Sequence, residues 1–108
     1  MKILVTGAGG YIGSQTCKFL SDNGHKVVGV DRNNLRHNYC VDSHIGNYAD
    51  FEVQGLLLDV DSVVHIGATS LVGPSVLDPS KYYNNNVVGT LKLLDACKNQ
   101  GVKSFVFA

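Results

Sequence analysis

Lys2-Ile3-Leu4-Val5-Thr6-Gly7-Ala8-Gly9-Gly10-Tyr11-Ile12-Gly13 (KILVTGAGGYIG, residues 2–13) decides how the rest of the chain is read. KILVT is a short apolar run with branched residues, the pattern of a strand buried on both faces. Glycines follow, and then Ile12, Thr16, Phe19 and Leu20 recur at helical spacing until Asn23-Gly24, with Gly24 placed as a left-handed C-cap. Lys26–Asp31 (KVVGVD) is a second buried strand. Strand, glycine turn, helix and strand fit into about 30 residues, the size of a βαβ crossover.

Beyond Asp31 the pattern weakens. Arg32–Asn38 is polar and turn-rich, a strand is expected near His44–Gly46, and Tyr48–Leu58 is expected to form a short helix. Ser62–Ile66 (SVVHI) is again a buried strand, ending in the small pair Gly67-Ala68. Asp78-Pro79 opens a helix as N-cap and first residue. Tyr83, Val87, Thr90, Leu91, Leu94 and Cys97 define its expected buried face, and Gly101 ends it before a last strand, Lys103–Phe107 (KSFVF). The expected fold is α/β, a doubly wound parallel sheet with strand order 3-2-1-4-5 and helices on both faces.

Composition narrows the function. The 108 residues carry nine basic and nine acidic side chains and are 44% hydrophobic, enough for one domain. Balanced charge argues against nucleic acid as a partner. No apolar run reaches the roughly 18 residues of a membrane span. Cys17, Cys40 and Cys97 are odd in number and widely spaced, which points to a reducing, cytoplasmic setting. His25, His37, His44 and His65 show no pair with ligand spacing on a common element and no cysteine close by, so they read as core or surface histidines. Cys17 and Cys97 read as small core hydrophobes.

The glycine turn carries the chemistry. In register it is Gly7-x-x-Gly10-x-x-Gly13, because Ile12 stands where a Gly-x-Gly-x-x-Gly pattern beginning at Gly7 would need its last glycine. Between a strand and a helix, such glycines give a tight turn, close backbone approach to a pyrophosphate and close helix–strand packing. The helix start adds free N–H groups and a positive dipole end. Asp31, 24 residues after Gly7, is placed to accept both ribose hydroxyls of an adenosine and to repel a 2′-phosphate. NAD is therefore expected over NADP, although Arg32 could pair with that phosphate or stack on adenine. The same features also serve a plain strand-to-helix connection with a solvated strand end.

Three segments together resemble the extended short-chain dehydrogenase/reductase (NAD-dependent epimerase/dehydratase) family: TGAGGYIG (6–13), VVHIGATSLVGPSV (63–76) and DPSKYYNNNVVGTLKLLDACKNQGVKSFVF (78–107). Within it the likeness is to nucleotide-sugar 4-epimerases. The resemblance implies the N-terminal, cofactor-binding part of a Rossmann-like domain over residues 1–108, incomplete at its C-terminus. It implies that Gly7, Gly10 and Gly13 form the turn, and that Tyr11 and Ile12 offer backbone N–H groups to the diphosphate of NAD. Asp31 matches the ribose-binding acid. Ile66, Gly67 and Ala68 match the small strand end that admits the cofactor. Asn86 matches a helix asparagine near it, and serves equally as a bridge from helix backbone to a loop. Gly46-Asn47 replaces the family's Gly-Asp, so Asn47 meets the adenine without charge. Ser70 stands where the epimerases carry a lysine, and the 34 residues from Asp31 to His65 imply a trimmed helix.

The family's catalytic Ser or Thr and its Tyr-x-x-x-Lys find no match in these residues. Tyr11, Tyr39, Tyr48, Tyr82 and Tyr83 are followed four residues on by Gln15, Ser43, Glu52, Asn86 and Val87. No catalytic residue is therefore assigned. The expected function is the NAD-binding part of a nucleotide-sugar 4-epimerase, inactive by itself. A nucleotide-sugar 4,6-dehydratase and a non-catalytic NAD-binding module are the alternatives. Expected partners are a nucleotide-sugar substrate and either a second copy, as a homodimer, or a complementing C-terminal chain.

Overall fold

A computed structural model of the chain describes residues 1–67, 80 and 84–108. Five strands, β1 (Lys2–Thr6), β2 (Lys26–Asp31), β3 (Cys40–Ile45), β4 (Ser62–His65) and β5 (Ser104–Phe107), form one sheet in the order β3-β2-β1-β4-β5. Every pairing is parallel, with Thr6 beside Val30 on one flank and His65 on the other. The expected α/β topology and strand order are both present.

The sheet has a core on each face. Ile3, Val5 and Val27 point to one side, where they pack with Ala8 and Cys17 under α1 (Tyr11–Asp22). Leu4, Val28, Val30 and Val63 point to the other, against Tyr48, Val53 and Leu57 and against Leu93, Ala96 and Cys97 of α3 (Gly89–Gln100). This alternation follows from the pleat, which sends successive side chains to opposite faces. Gly24 and Gly101 both lie in the left-handed region that ends a helix, at φ +84° and +74°.

Four expectations need correction. The third strand is Cys40–Ile45, not a strand near His44–Gly46. It is a half-solvated edge, so pairing to β2 and not hydrophobicity defines it. The short helix α2 covers only Val53–Leu56, with turns on either side of it. On α1 the buried residues are Gly13 and Cys17, with Leu20 half-buried, while Ile12 and Phe19 are exposed. Close packing on β1 needs small residues, and these displaced the larger apolar ones from the contact.

The last helix differs in phase. A π-helical turn over Asn84–Val88 precedes α3, and the buried residues are Gly89, Thr90, Leu93, Ala96 and Cys97. Val87, Leu91 and Leu94, expected inside, are exposed. A π turn holds more residues than an α turn and so breaks a face read with one continuous period. Tyr83, and the expected helix start at Asp78-Pro79, lie outside the described residues.

Candidate cofactor site

The chain leaves β1 for the β2 side of the sheet and later returns to β4 on the opposite side of β1. The carboxyl ends of β1 and β4 thus flank a topological switch point, where ligands of open α/β sheets bind. The glycine turn rises from one of these strand ends and Ile66-Gly67 from the other.

Each glycine of the turn has a distinct surrounding. Gly7 has φ +70°, and a Cβ there would lie 3.0 Å from the Gly67 Cα. A Cβ on Gly13 would collide with the Gly7 carbonyl, so this glycine lets α1 settle on the turn. A Cβ on Gly10 would meet only the Gly7 oxygen, at 3.5 Å. Gly10 is also the N-cap of α1, in extended conformation, and no side chain caps the helix. The N–H groups of Tyr11, Ile12 and Gly13 have no acceptor within the helix. Unpaired N–H groups at a helix start can receive an anion, and the Tyr11 and Ile12 side chains stand out in solvent.

Asp31 closes the other side. Its Oδ2 accepts the Gly9 N–H at 2.9 Å and its Oδ1 accepts the Asn33 N–H at 2.8 Å. The carboxylate therefore holds the glycine turn to the end of β2, and each oxygen keeps lone-pair capacity for a ribose hydroxyl. Ala8 N–H donates to the Val30 carbonyl at 3.1 Å, a second tie between turn and β2. Arg32 is exposed immediately beyond Asp31. Asn47 is half-buried just past β3, and its Oδ1 accepts the Ala49 N–H at 2.8 Å, which leaves its amide nitrogen as the end able to meet a base. Asn86 is half-buried in the π turn, Ile66 and Gly67 are half-buried beyond β4, and Ala68 lies outside the described residues.

A buried network that the sequence did not disclose supports the β4 end. Thr6 Oγ1 accepts the N–H groups of Ile66 and Gly67, each at 2.9 Å, and lies 2.6 Å from His65 Nδ1. With both lone pairs engaged, the Thr6 hydroxyl donates its proton to Nδ1. His65 then carries its own proton on Nε2 and donates it to Thr90 Oγ1 at 2.9 Å. Burial lowers the His65 pKa to about 4, so the ring is neutral at pH 7. Tyr48 packs edge-on against it, and burial raises the Tyr48 hydroxyl above its ordinary range. Three elements are thus tied together behind the Gly7–Gly67 contact.

A profile of the NAD dependent epimerase/dehydratase family matches residues 3–108. The chain belongs to this family. A UDP-glucose 4-epimerase of Klebsiella pneumoniae is 40% identical over 122 residues, which cover 100% of this chain and 88% of that relative. The UDP-glucose 4-epimerase of Halalkalibacterium halodurans is 40% identical over 116 residues, covering 100% of this chain and 34% of the relative. Among solved structures, the Stenotrophomonas maltophila UDP-glucose-4-epimerase with bound NAD and formylated UDP-arabinopyranose superposes with a TM-score of 0.88 at 32% identity. That match covers 99% of this chain and 36% of the other. Against full-length relatives of this kind, the chain spans about a third of their length.

Against this family background, the histidine and cysteine reading changes most. Cys17 of α1 and Cys40 of β3 lie with their sulfurs 3.9 Å apart, and a ring nitrogen of His37 joins them within 4.8 Å. Tertiary folding therefore puts two cysteines beside a histidine that was read as lacking any. The hydrogen bond shared with Cys40, reinforced by burial, pushes the Cys17 thiol up. The same bond holds Cys40 below the usual thiol range. The overlooked sequence signal was His37-x-x-Cys40. His44 also meets Asp50, Nε2 to Oδ2 at 2.9 Å, and the hydrogen bond from His44 lowers the Asp50 carboxyl. Among the described residues, no helix is long and apolar enough to cross a membrane.

Proposed function

We propose that residues 1–108 form the NAD-binding domain of a nucleotide-sugar 4-epimerase that acts on a UDP-hexose. The uncapped start of α1 beside Asp31 carries this reading. It sets an anion cradle and a ribose-binding carboxylate on the same turn, tied by the Gly9–Asp31 hydrogen bond of 2.9 Å. In this arrangement Tyr11 and Ile12 hold the diphosphate through backbone N–H groups, Gly10 and Gly13 shape the turn and the helix start, and Gly7 and Gly67 let the cofactor run close to both strand ends. Asp31 takes the adenosine ribose and excludes a 2′-phosphate, with Arg32 lying over the adenine side. Asn47 meets the base, and Ile66, Gly67 and Asn86 line the remaining path. Bound NAD supplies the hydride acceptor for C4 of the sugar. The residues of this domain orient the cofactor, and none of them stands as the acid–base catalyst.

Relatives' names support the substrate class, and the family also includes dehydratases. One observation favours a binding-only role for residues 1–108 taken alone: none of their five tyrosines is followed by a lysine four residues on. The exposed Leu91 and Leu94 on α3, and Val106 and Phe107 on the edge strand β5, support a packing partner. That partner is a second copy or a complementing C-terminal chain. Three free cysteines support a cytoplasmic setting.

Calorimetric titration with NAD and with NADP tests the assignment. Saturable NAD binding, tighter than NADP binding and weakened by Asp31→Asn, is the expected result. Absence of NAD binding, or tighter binding of NADP, refutes it. Turnover of UDP-galactose by this chain together with its C-terminal complement then separates epimerase from dehydratase.

A further inference from the structure

We propose that Cys17, His37 and Cys40 form a site for one thiophilic metal ion of the Zn²⁺ class, seated between α1 and the start of β3 behind the glycine turn. The three ligands come from different parts of the fold: the buried face of α1, the loop after β2, and the first residue of β3. Their donor atoms all lie within 4.8 Å of one another. A tetrahedral ion with metal–sulfur bonds of about 2.3 Å requires its two sulfurs to be about 3.8 Å apart. The observed Sγ–Sγ separation is 3.9 Å, so the cysteine pair already spans one edge of that tetrahedron.

His37 is oriented for the same task. Its Nε2 lies 2.9 Å from the Ala8 carbonyl oxygen, which can only accept, so Nε2 holds the proton and Nδ1 keeps its lone pair. The Nδ1 lone pair engages the Tyr39 N–H through a long 3.3 Å contact, which ligation of an ion at Nδ1 displaces. A ligating histidine that donates its second N–H to a backbone carbonyl is the usual outer-shell arrangement of metal sites. Stacking on Tyr39, with ring centroids 4.9 Å apart, fixes the plane of the imidazole.

The donor set of two sulfurs and an imidazole, with no carboxylate, selects Zn²⁺ over Mg²⁺ or Ca²⁺. Two thiolates cancel the charge of a divalent ion, and binding releases the thiol protons to solvent. A cleft of about 250 Å³ between α1 and residues 36–39, walled by Ser14, Lys18, Arg36, His37 and Tyr39 among others, opens beside His37. Three protein ligands leave a fourth position for water. Because His37 also holds the Ala8 carbonyl, the bound ion braces the glycine turn from behind.

The test is titration of reduced, chelator-treated protein with Co²⁺ as the spectroscopic probe. The expected result is one equivalent bound, with thiolate-to-cobalt charge-transfer absorption that Zn²⁺ abolishes by displacement. Cys97→Ser should titrate like the parent protein, because Cys97 lies in the core on the opposite face of the sheet. His37→Asn should weaken binding by more than about tenfold, and Cys40→Ser should remove the stoichiometric band. No charge-transfer absorption, or a band that persists in Cys40→Ser, overturns the proposal. A second measurement uses only the parent protein: Zn²⁺ should slow alkylation of the half-buried Cys40 by more than about tenfold. Equal alkylation with and without Zn²⁺ likewise overturns it.

Discussion

Replacing Thr6 by valine keeps the shape of the side chain and deletes the one oxygen that organises the end of β4. Thr6 is fully buried, and its Oγ1 serves three partners: the N–H groups of Ile66 and Gly67 and the Nδ1 of His65. A buried polar group left without a partner costs about 1–3 kcal/mol. His65 is fully buried and should suffer the upper part of that range, whereas Ile66 and Gly67 are half-buried and can recruit water. The sum for Thr6→Val is about 3–5 kcal/mol, a large share of the roughly 5–15 kcal/mol that stabilises a typical domain. With a urea slope of about 1.5 kcal/mol/M, the unfolding midpoint should fall by about 2–3 M. Thr6→Ser supplies the contrast, since it keeps the hydroxyl and loses a methyl group worth about 1 kcal/mol. Urea unfolding of the two variants, with amide exchange at Ile66 and Gly67, decides the matter. If Thr6→Val is as stable as Thr6→Ser, the hydroxyl is not what holds this strand end, and the argument fails.

Gly13→Ala places a methyl group against the Gly7 carbonyl and should cost about 2–3 kcal/mol while abolishing NAD binding; thermal melts and calorimetry check both effects, and unchanged NAD affinity would contradict the packing role. Stability should also fall with acid in a particular window. The His65 pKa is about 4 when folded, below the unfolded value near 6.5, so the unfolded chain binds more protons between these limits. The contribution is complete above about pH 6.5 and is lost as pH falls toward 4, by about 3 kcal/mol in all. Denaturant titrations from pH 7 to 4.5 should show that slope, and His65→Gln should flatten it. Asp31→Asn leaves the turn only one carbonyl oxygen in place of two carboxylate oxygens and should narrow the NAD-over-NADP preference by about tenfold, or 1.4 kcal/mol, as read from paired dissociation constants.

Local patterns made much of this protein legible. The buried runs KILVT, KVVGVD and SVVHI have only one way to hide both faces, so their strands lie in the sheet within a residue of where the sequence placed them. Gly24 and Gly101 end helices because glycine takes the left-handed conformation without penalty. The glycine turn and Asp31 were readable for a similar reason. Their spacing within one βαβ unit brings them together with little help from the rest of the chain. Edge strand β3 was not, because its partly polar residues are held by hydrogen bonds to β2 and carry no hydrophobic signature. The face of α3 was missed because a π turn shifts the phase, which residue type does not announce.

By itself, then, the sequence determined the α/β class, the glycine turn and the acid that meets it, all of which rest on contacts within about 30 residues or on local conformational preference. The expected strand order is present too, although its β1–β4 pairing joins residues 59 positions apart. The tertiary structure decided what depends on parallel neighbours far apart in the chain. Register pairs Thr6 with His65 across 59 positions, and helix docking then sets Thr90 on the far side of the same ring. The approach of Cys17 to Cys40 arises likewise, from α1 packing over β2 and its edge partner. Such pairs obey no sequence period, since their proximity is fixed only when strands align and helices settle on them.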